Sequence, residues 1–245
     1  MDSQTYVVES QVEQNHWWFV GRRKLFRKTV EKLHLSAEAK ILDIGTSTGT
    51  NLRLLRDMGF VNFLGLDSND DAIRWCAEKG LGIVSKGDIC AMPFEDSLFD
   101  LVLATDIIEH VDDDIQALRE IRRVLTPHGR AIITVPAFQS LWGLQDEVGH
   151  HKRRYTRREV LEKLEKAGLQ TCESYYFNYI LFFPIWIARQ LIRIFNLRLK
   201  SENQVNSPLI NSVLKIVFAL DTACAGILHV PFGVSIIALI GRNSD

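Results

Sequence analysis

The chain has 245 residues, of which 47% are hydrophobic and 24% charged, and its formal net charge at pH 7 is −1. This is the composition of a globular protein, and the length allows one large domain or one domain with an insertion. The near-neutral charge argues against a general nucleic-acid-binding protein, which is usually strongly basic. Residues 1–150 carry 16 Lys and Arg against 23 Asp and Glu, whereas residues 151–245 carry 13 against 7. The basic part could face an anion or a lipid headgroup, or it could be a solvated surface.

The cysteines and the N-terminal sequence both favour a cytoplasmic protein. The cysteines lie far apart without a C-x-x-C pair, which is typical of reduced thiols and not of disulfides or a zinc site. The first residues are polar and acidic, so no signal peptide is expected. The four cysteines are Cys76, Cys90, Cys172 and Cys224.

After an N-terminal segment that looks helical, apolar strands alternate with amphipathic helices from residue 40 onward. This alternation predicts an α/β fold whose parallel sheet is covered on both faces. Thr156 and Glu159 form a predicted capping box at the start of the last helix of this series. The predicted strands are 41–44, 63–67, 82–85, 101–104, 131–135 and 169–177, and the predicted helices are 51–58, 70–79, 112–125 and 156–167.

Residues 178–231 break this rhythm with two very apolar segments on either side of a polar stretch at 200–207. Arg189 and Arg193 interrupt the first segment, and Lys215 and Asp221 the second, so no uncharged run reaches the roughly 18 residues of a membrane span. We therefore predict a helical hairpin, followed by a last strand at 232–240. The hairpin could lie on a membrane, cap the active site, form a dimer surface or pack as a satellite core, and we favour contact with a membrane or a lipid-like substrate.

Two glycines and two aspartates follow the first three predicted strands in an order typical of a nucleoside site. Gly45 and Gly49 lie in the turn after the first strand, where the backbone can approach a ligand closely. Asp67 ends the second strand, where a carboxylate can accept hydrogen bonds from a ribose diol. Asp88 can accept from an adenine amine, and Ile89 can pack on the ring. Because these strand ends share one rim of the sheet, they predict a nucleoside-binding site.

The same turn argues against a nicotinamide dinucleotide. A dinucleotide site favours G-x-G-x-x-G, so that the pyrophosphate rests on the helix N-terminus, but residues 45–49 read GTSTG. No Y-x-x-x-K pair of the short-chain dehydrogenase kind follows. A nicotinamide-dependent oxidoreductase is therefore kept only as an alternative.

These motifs resemble those of class I S-adenosylmethionine-dependent methyltransferases, and most closely the ubiquinone/menaquinone-methyltransferase-like group. The resemblance covers roughly residues 40–175 and the final strand. The family's D/E-x-G-x-G-x-G turn reads DIGTSTG at 43–49, with Ser47 in place of the central glycine. Residues 100–111 resemble the fourth strand and its exit, and residues 125–129 resemble the family's L-K-P-G-G turn.

The resemblance implies a Rossmann-like, doubly wound sheet of seven strands with the last strand antiparallel. It implies S-adenosyl-L-methionine as the cofactor and S-adenosyl-L-homocysteine as the product. The expected organisation is an N-terminal helical and aromatic lid segment at 1–39, a cofactor-binding core at 40–177, an apolar helical-hairpin insertion at 178–231 and a final strand at 232–245. The cofactor-binding residues that it implies are Asp43, Gly45, Thr46, Ser47, Gly49, Asp67, Ser68, Asp88, Ile89 and Thr105.

The resemblance places residues 106–110 at the pocket, and we take Asp106 and His110 as the candidate catalytic residues. Methyl transfer needs positioning and exclusion of water, and it needs a base only if the acceptor must lose a proton. His110 is the best candidate base because an imidazole titrates near neutral pH. The alternative is a helix-capping or buried structural histidine.

Two further clusters are candidate substrate contacts. An aromatic cluster before the first strand is either a lid or a hydrophobic clamp, and a basic loop follows the fifth strand, where substrates bind in such sheets. His150 and the adjacent His151 could suggest a metal, but neighbouring residues point apart and no carboxylate spacing supports one, so no metal site is expected. The candidate substrate residues are His16, Trp17, Trp18, Arg22, His150, Arg154 and Tyr155.

We therefore predict a methyltransferase that acts on a small-molecule acceptor, hydrophobic or lipid-linked and partly anionic. Peripheral contact with the inner face of the membrane through 178–231 is expected, and binding to nucleic acid is not. The oligomeric state and the acceptor atom stay open. An alternative from another class is a catalytically silent protein of the cofactor-binding fold that docks on a membrane or a partner.

Overall fold

The computed structural model describes residues 9–195 and 207–242. Its centre is a seven-stranded sheet in the order β3-β2-β1-β4-β5-β7-β6. Strands β1 to β5 pair in parallel, whereas β7 runs antiparallel to both β5 and β6, as predicted. The strands are β1 Ile41–Ile44, β2 Phe63–Asp67, β3 Ile83–Lys86, β4 Phe99–Thr105, β5 Leu125–Pro136, β6 Leu169–Phe177 and β7 Ser235–Arg242.

Helices connect and cover these strands in the described part of the chain. Each amphipathic helix turns its apolar side to the sheet, for example Leu118 and Ile121, which are buried in the core. The predicted capping box at Thr156 and Glu159 is formed. The helices are α1 Trp17–Glu31, α2 Thr50–Asp57, α3 Asp70–Glu78, α4 Asp114–Val124, α5 Leu144–Val148, α6 Arg157–Lys166, α7 Phe182–Ile194 and α8 Pro208–Leu228, with 3-10 turns at Ile108–His110 and Gln139–Leu141.

The order of the strands creates the crevice in which the site lies. From β1 the chain moves outward through β2 and β3, and then returns to pair β4 on the other side of β1. The connections after β1 and β4 therefore leave the sheet in opposite directions. A crevice at the carboxyl ends of these strands is where open α/β sheets bind ligands.

The two insertion helices contact different parts of the protein. Helix α8 packs on α1 and β6, and Phe218 is fully buried there against Trp18 and Phe177. Helix α7 lies against the 3-10 turn at 139–141. Within the described residues, α8 is the one helix that is long and apolar enough to cross a membrane by length and composition.

A buried carboxylate fastens α8 to the core. Asp221 accepts hydrogen bonds from the backbone N–H groups of Asn178, at 2.6 Å, and Ile180, at 2.9 Å. Burial raises the pKa of this carboxyl. Asp221 thus ties the insertion to the chain that leaves β6, which explains a charge in an otherwise apolar helix.

Candidate active site

The turn after β1 adopts left-handed backbone conformations at three positions. Gly45 and Gly49 have φ angles of +71° and +83°, which glycine adopts without the steric cost of a Cβ. Ser47 stands between them with φ +47°, although a side chain disfavours this region. The Ser47 hydroxyl donates a 2.9 Å hydrogen bond to Oε2 of Glu9, so its side chain has a partner that glycine would lack.

The turn also holds the carboxylate of Asp67 at the end of β2. Oδ2 of Asp67 accepts from the backbone N–H of Ser47 at 3.1 Å, and Oδ1 accepts from the backbone N–H of Asn69 at 2.9 Å. Asp67 is buried, and this burial raises the pKa of its carboxyl in spite of these bonds. The carboxylate is therefore fixed in position beside the turn, as a group that binds a ribose diol needs to be.

Asp43 and Asn51 link the ends of β1 and β4 beneath the turn. The Asn51 amide donates to Oδ1 of Asp43 at 2.8 Å and to the hydroxyl of Thr105 at 3.0 Å. Asp43 is fully buried, and its Oδ2 has no hydrogen-bond partner among the described residues. Burial raises the pKa of Asp43 to about 7, and the negative charge of Asp67 adds to this effect.

Two glutamates of the N-terminal segment bind the turn, which the sequence did not lead us to expect. Glu13, before α1, is almost fully buried and accepts hydrogen bonds from the hydroxyls of Thr48 and Thr50. It also forms ion pairs with Arg53, at 3.0 Å, and Lys79, at 3.1 Å. The partners of Glu9 and Glu13 are far away in the sequence. The four-residue spacing of these glutamates is the local pattern that could have suggested a shared role in binding the turn.

The first cavity, of about 240 Å³, lies above the turn and beside Asp67. Asp43 lies below its floor and is not a lining residue, and Gly49 lies at the start of α2, outside the lining. Asp88 and Ile89 do not line the cavity either: Asp88 caps its own turn by accepting from the N–H of Cys90, and Ile89 is buried in the core. The predicted cofactor residues that line it are Gly45, Thr46, Ser47, Asp67, Ser68 and Thr105.

A second cavity, of about 470 Å³, adjoins the first and is more apolar. The walls of the two cavities share five residues, which are Glu9, Phe19, Arg22, Asp106 and His110. An ion pair of 2.7 Å joins Arg22 to Asp106, whose backbone φ is +53°. The second cavity is lined by the aromatic cluster, the basic loop and both insertion helices. The predicted substrate residues in its walls are His16, Trp17, Trp18, Arg22 and Arg154. Its apolar walls include Ile185, Ala188, Ile192 and Leu214.

The aromatic cluster packs as a hydrophobic clamp and also lines a cavity. Trp18 stacks on Phe218 at 5.3 Å between ring centroids, which clamps α1 against α8. The backbone N–H of Trp17 donates to the Asn211 side chain at 2.8 Å. Both tryptophans also line the second cavity, so the clamp forms part of its wall.

The 3-10 turn after β4 brings His110 next to His151 from the basic loop. Their rings meet edge to face with centroids 4.6 Å apart. Burial, and then the neighbouring His151, lowers the pKa of His110 to about 4, so that His110 is neutral at pH 7. Glu109 is fully buried beside them, and burial raises the pKa of its carboxyl well above the usual value.

Most of the predicted basic loop is bound internally by carboxylates. Tyr155 is a core residue that lines neither cavity: its hydroxyl donates to Asp114 at 2.8 Å, and its ring packs beneath β5. His150 is exposed, with φ +56°, and it does not line the cavities. Arg154 does reach the second cavity, but it is buried and paired with Asp146 at 2.8 Å. The structure therefore supports contact with a cavity for Arg154 and does not for Tyr155 and His150.

Comparison with known proteins agrees with this geometry. Residues 42–133 match the family model of the methyltransferase domain. The demethylmenaquinone methyltransferase of Thermotoga maritima is 38% identical over 117 residues, which are 46% of this chain and 51% of that protein. The sterol 24-C-methyltransferase of Schizosaccharomyces pombe is 31% identical over 105 residues, 40% of this chain and 28% of that protein. The chain thus spans about half or less of these two relatives.

The fold matches a chain in one solved structure with a TM-score of 0.66. That structure is a Haloferax volcanii complex between the Trm112 methyltransferase activator and a protein described as a methyltransferase. The matching chain is 17% identical, and the alignment covers 99% of this chain and 96% of that one. The fold is therefore that of Rossmann-like methyltransferases. Residues 42–133 thus resemble a methyltransferase domain in sequence, and the turn at 43–49 and the fold agree with the class I S-adenosylmethionine-dependent type.

Proposed function

We propose that this protein transfers the methyl group of S-adenosyl-L-methionine to an apolar or lipid-linked small molecule. The observation that carries the proposal is the pair of adjoining cavities that share Arg22, Asp106 and His110. One cavity is formed by the methyltransferase turn and Asp67. The other is larger, and its walls are mainly apolar. A donor and an acceptor held in these two cavities would meet at the shared wall.

The residues of the first cavity fit this cofactor. Gly45 and Gly49 have positive φ angles, and without side chains they let the backbone of the turn come close to a ligand. The turn holds Asp67 where its carboxylate can accept hydrogen bonds from the ribose hydroxyls. The cofactor supplies a methyl group on a cationic sulfur. The protein positions the two reactants and excludes water, which supplies much of the acceleration of such a transfer.

At the shared wall, the Arg22–Asp106 ion pair and His110 would contact the acceptor. Asp106 is held from two sides, because its Oδ1 also accepts from the Thr134 hydroxyl at 3.2 Å. His110 is neutral at pH 7 and can accept a proton, although its lowered pKa makes it a weak base. The geometry therefore favours positioning of the acceptor over strong base catalysis by His110.

The apolar walls of the second cavity favour an apolar acceptor. Ile185 and Ile192 of α7 and Leu214 of α8 face this cavity, whereas other apolar residues of the same helices are exposed. The names of the two relatives refer to a menaquinone precursor and a sterol, which are both apolar molecules. The exposed apolar residues are Phe183, Trp186, Ile187, Leu191, Ile194 and Phe195 on and next to α7, and Leu209, Ile210, Val213, Ile216, Leu220, Ile227 and Leu228 on α8.

We propose that these exposed side chains rest on a lipid surface, from which the acceptor enters the second cavity. The two helices form both a wall of the cavity and the exposed apolar face, so the route is short. Arg189, which interrupts the first apolar segment, is buried: it donates to the carbonyl of Leu141 and lies 3.8 Å from Asp146. Arg193 is on the exposed side of α7, and Arg198 and Lys200 lie outside the described residues.

The test is transfer of tritium-labelled methyl groups from the cofactor to a membrane lipid extract or to a soluble metabolite extract. We expect label in the lipid extract, and less of it with Ile192→Glu, which places a charge in the apolar wall. Leu228→Glu, at the exposed end of α8, should lower liposome association while leaving the cofactor cavity intact. Label in the soluble extract alone would contradict the lipid acceptor. No label in either extract, with bound cofactor, would favour a catalytically silent protein.

A further inference from the structure

We propose that Glu109, His110 and His151 form a binding site for a divalent first-row transition metal ion in the second cavity, next to the wall that it shares with the first. Each residue offers one ligand atom, and these three atoms all lie within 4.8 Å of one another. Two ligand atoms of one such ion lie at most about 4.4 Å apart, at roughly 2.0–2.2 Å each from the metal. Small side-chain adjustments would therefore bring all three into coordination.

The carboxylate of Glu109 is the observation that points to a ligand. It is fully buried, and neither of its oxygens accepts a hydrogen bond from another residue that the structure describes. A buried carboxylate without partners is costly, and it is normally paired or bound to a metal. Nε2 of His151 lies 4.0 Å from Oε1 of Glu109.

Both histidines already use one ring nitrogen in the way that metal-bound histidines do. Nδ1 of His151 is hydrogen-bonded to Oδ1 of Asp146 at 2.8 Å, which leaves Nε2 toward Glu109. His110 hydrogen-bonds to the backbone of His150. A carboxylate or a backbone group on the far nitrogen fixes the tautomer and orients the ring toward a metal.

The backbone holds the two contributing segments together. The N–H of Lys152 donates to the carbonyl of Glu109 at 2.9 Å, and the N–H of His151 donates to the carbonyl of Asp146 at 2.8 Å. Asp146 is itself fully buried and is held by the N–H of Gly143 and by the Arg154 side chain. The orienting shell is thus complete without a metal, as expected of a site that is formed in advance.

Two imidazoles and one carboxylate are the donor set that first-row transition ions accept while keeping positions open for other ligands. All three residues line the second cavity, so the open positions would face the acceptor. If the proposed function holds, the ion would bind an oxygen of the acceptor, favouring a hydroxyl or carboxylate acceptor over a purely hydrocarbon one. Only this last step depends on the proposed function.

The test uses the purified full chain after removal of metal by a chelator and dialysis. Zn²⁺ is titrated by calorimetry, and Co²⁺ is titrated by its visible d–d absorption, which also reports the coordination geometry. We expect one ion per chain and a loss of affinity of about 100-fold or more with Glu109→Gln. Asp146→Asn, which acts through His151, should lower the affinity by roughly 10–100-fold. Asp112→Asn is the matched control, because this nearby carboxylate is 90% exposed and should leave binding unchanged.

Circular dichroism of each variant shows whether it folds, and His151→Ala replaces Glu109→Gln if the latter does not. No change in Co²⁺ absorption with the wild-type chain would overturn the site, and so would Zn²⁺ binding that Glu109→Gln and His151→Ala leave intact. The cofactor is absent from these titrations. Metal binding without cofactor binding would therefore refute the proposed function alone, and cofactor binding without metal binding would refute the metal site alone.

Discussion

Ser47 tests how the N-terminal segment and the cofactor turn depend on each other. It occupies a left-handed conformation at φ +47°, where the family's turn has glycine, and its hydroxyl donates to Glu9 at 2.9 Å. We expect the two effects to oppose each other: the conformation destabilises the folded state, and the hydrogen bond stabilises it. Ser47→Gly removes both effects, whereas Ser47→Ala removes only the bond.

The magnitudes follow from these contacts. A left-handed residue with a Cβ costs roughly 1–2 kcal/mol. Loss of the bond leaves a buried oxygen of Glu9 without a partner, which costs about 1–3 kcal/mol. Ser47→Ala should therefore lower the free energy of unfolding by about 1–3 kcal/mol. Ser47→Gly should change it by between a gain of roughly 1 kcal/mol and a loss of roughly 2 kcal/mol, since release of the strain offsets some or all of the lost bond.

The decisive assay is urea denaturation of both variants in the wild-type chain and in a Glu9→Ala chain. With Glu9 removed, only the strain is left, so Ser47→Gly should now stabilise the protein, by about 1 kcal/mol. The same effect of Ser47→Gly in both chains would show that the bond to Glu9 contributes nothing. An alanine variant at least as stable as the glycine variant would refute the strain at this position.

Three further predictions concern the core and the insertion. Burial raises the pKa of Asp43 to about 7 in the folded chain, so its contribution to stability is present at low pH and is lost as the pH rises from about 4 to 7. Over that range the free energy of unfolding of the wild-type chain should fall by up to about 4 kcal/mol relative to that of Asp43→Asn. Urea denaturation of both chains at several pH values measures this difference. A Cβ at Gly21 would lie 1.8 Å from the Phe218 ring, so Gly21→Ala should overpack the core and lower the melting temperature, at a cost of about 1–3 kcal/mol. Adding Phe218→Leu should recover part of the lost stability. Independent, additive effects of the two substitutions would argue against the contact. Asp221→Asn replaces one accepting oxygen by a donor and leaves a buried backbone N–H unpaired, which should lower the free energy of unfolding by about 1–3 kcal/mol. The amide hydrogens of Asn178 and Ile180 should exchange faster in this variant. Unchanged exchange at these two amides would contradict the anchoring role.

The sequence was sufficient to predict the sheet and the cofactor turn, because both depend on local patterns. Alternating apolar runs defined the strands, and the glycine turn with Asp67 marked the crevice beside β1. The antiparallel last strand came from the family resemblance and was confirmed by its pairing with β5 and β6.

The contacts that the sequence could not indicate join residues far apart in the chain. Glu13 binds side chains 35 to 66 positions away, and no local pattern reveals such pairs. Tyr155 looked like a substrate contact because it follows β5, but a partner 41 residues away, Asp114, holds its hydroxyl in the core. No metal site was expected from His150 and His151, because neighbouring side chains point apart, whereas the fold brings His151 to Glu109 and His110.

Calorimetric titration of the full chain with S-adenosyl-L-homocysteine and S-adenosyl-L-methionine tests the central claim most directly. We predict one site per chain and a loss of affinity of roughly 10–100-fold with Asp67→Asn, since the variant loses charged hydrogen bonds to the ribose. Asp70→Asn should bind as wild type does, because Asp70 is 79% exposed and pairs with Lys86 away from the turn. No binding by the folded wild-type chain, or equal binding by Asp67→Asn, would contradict the account.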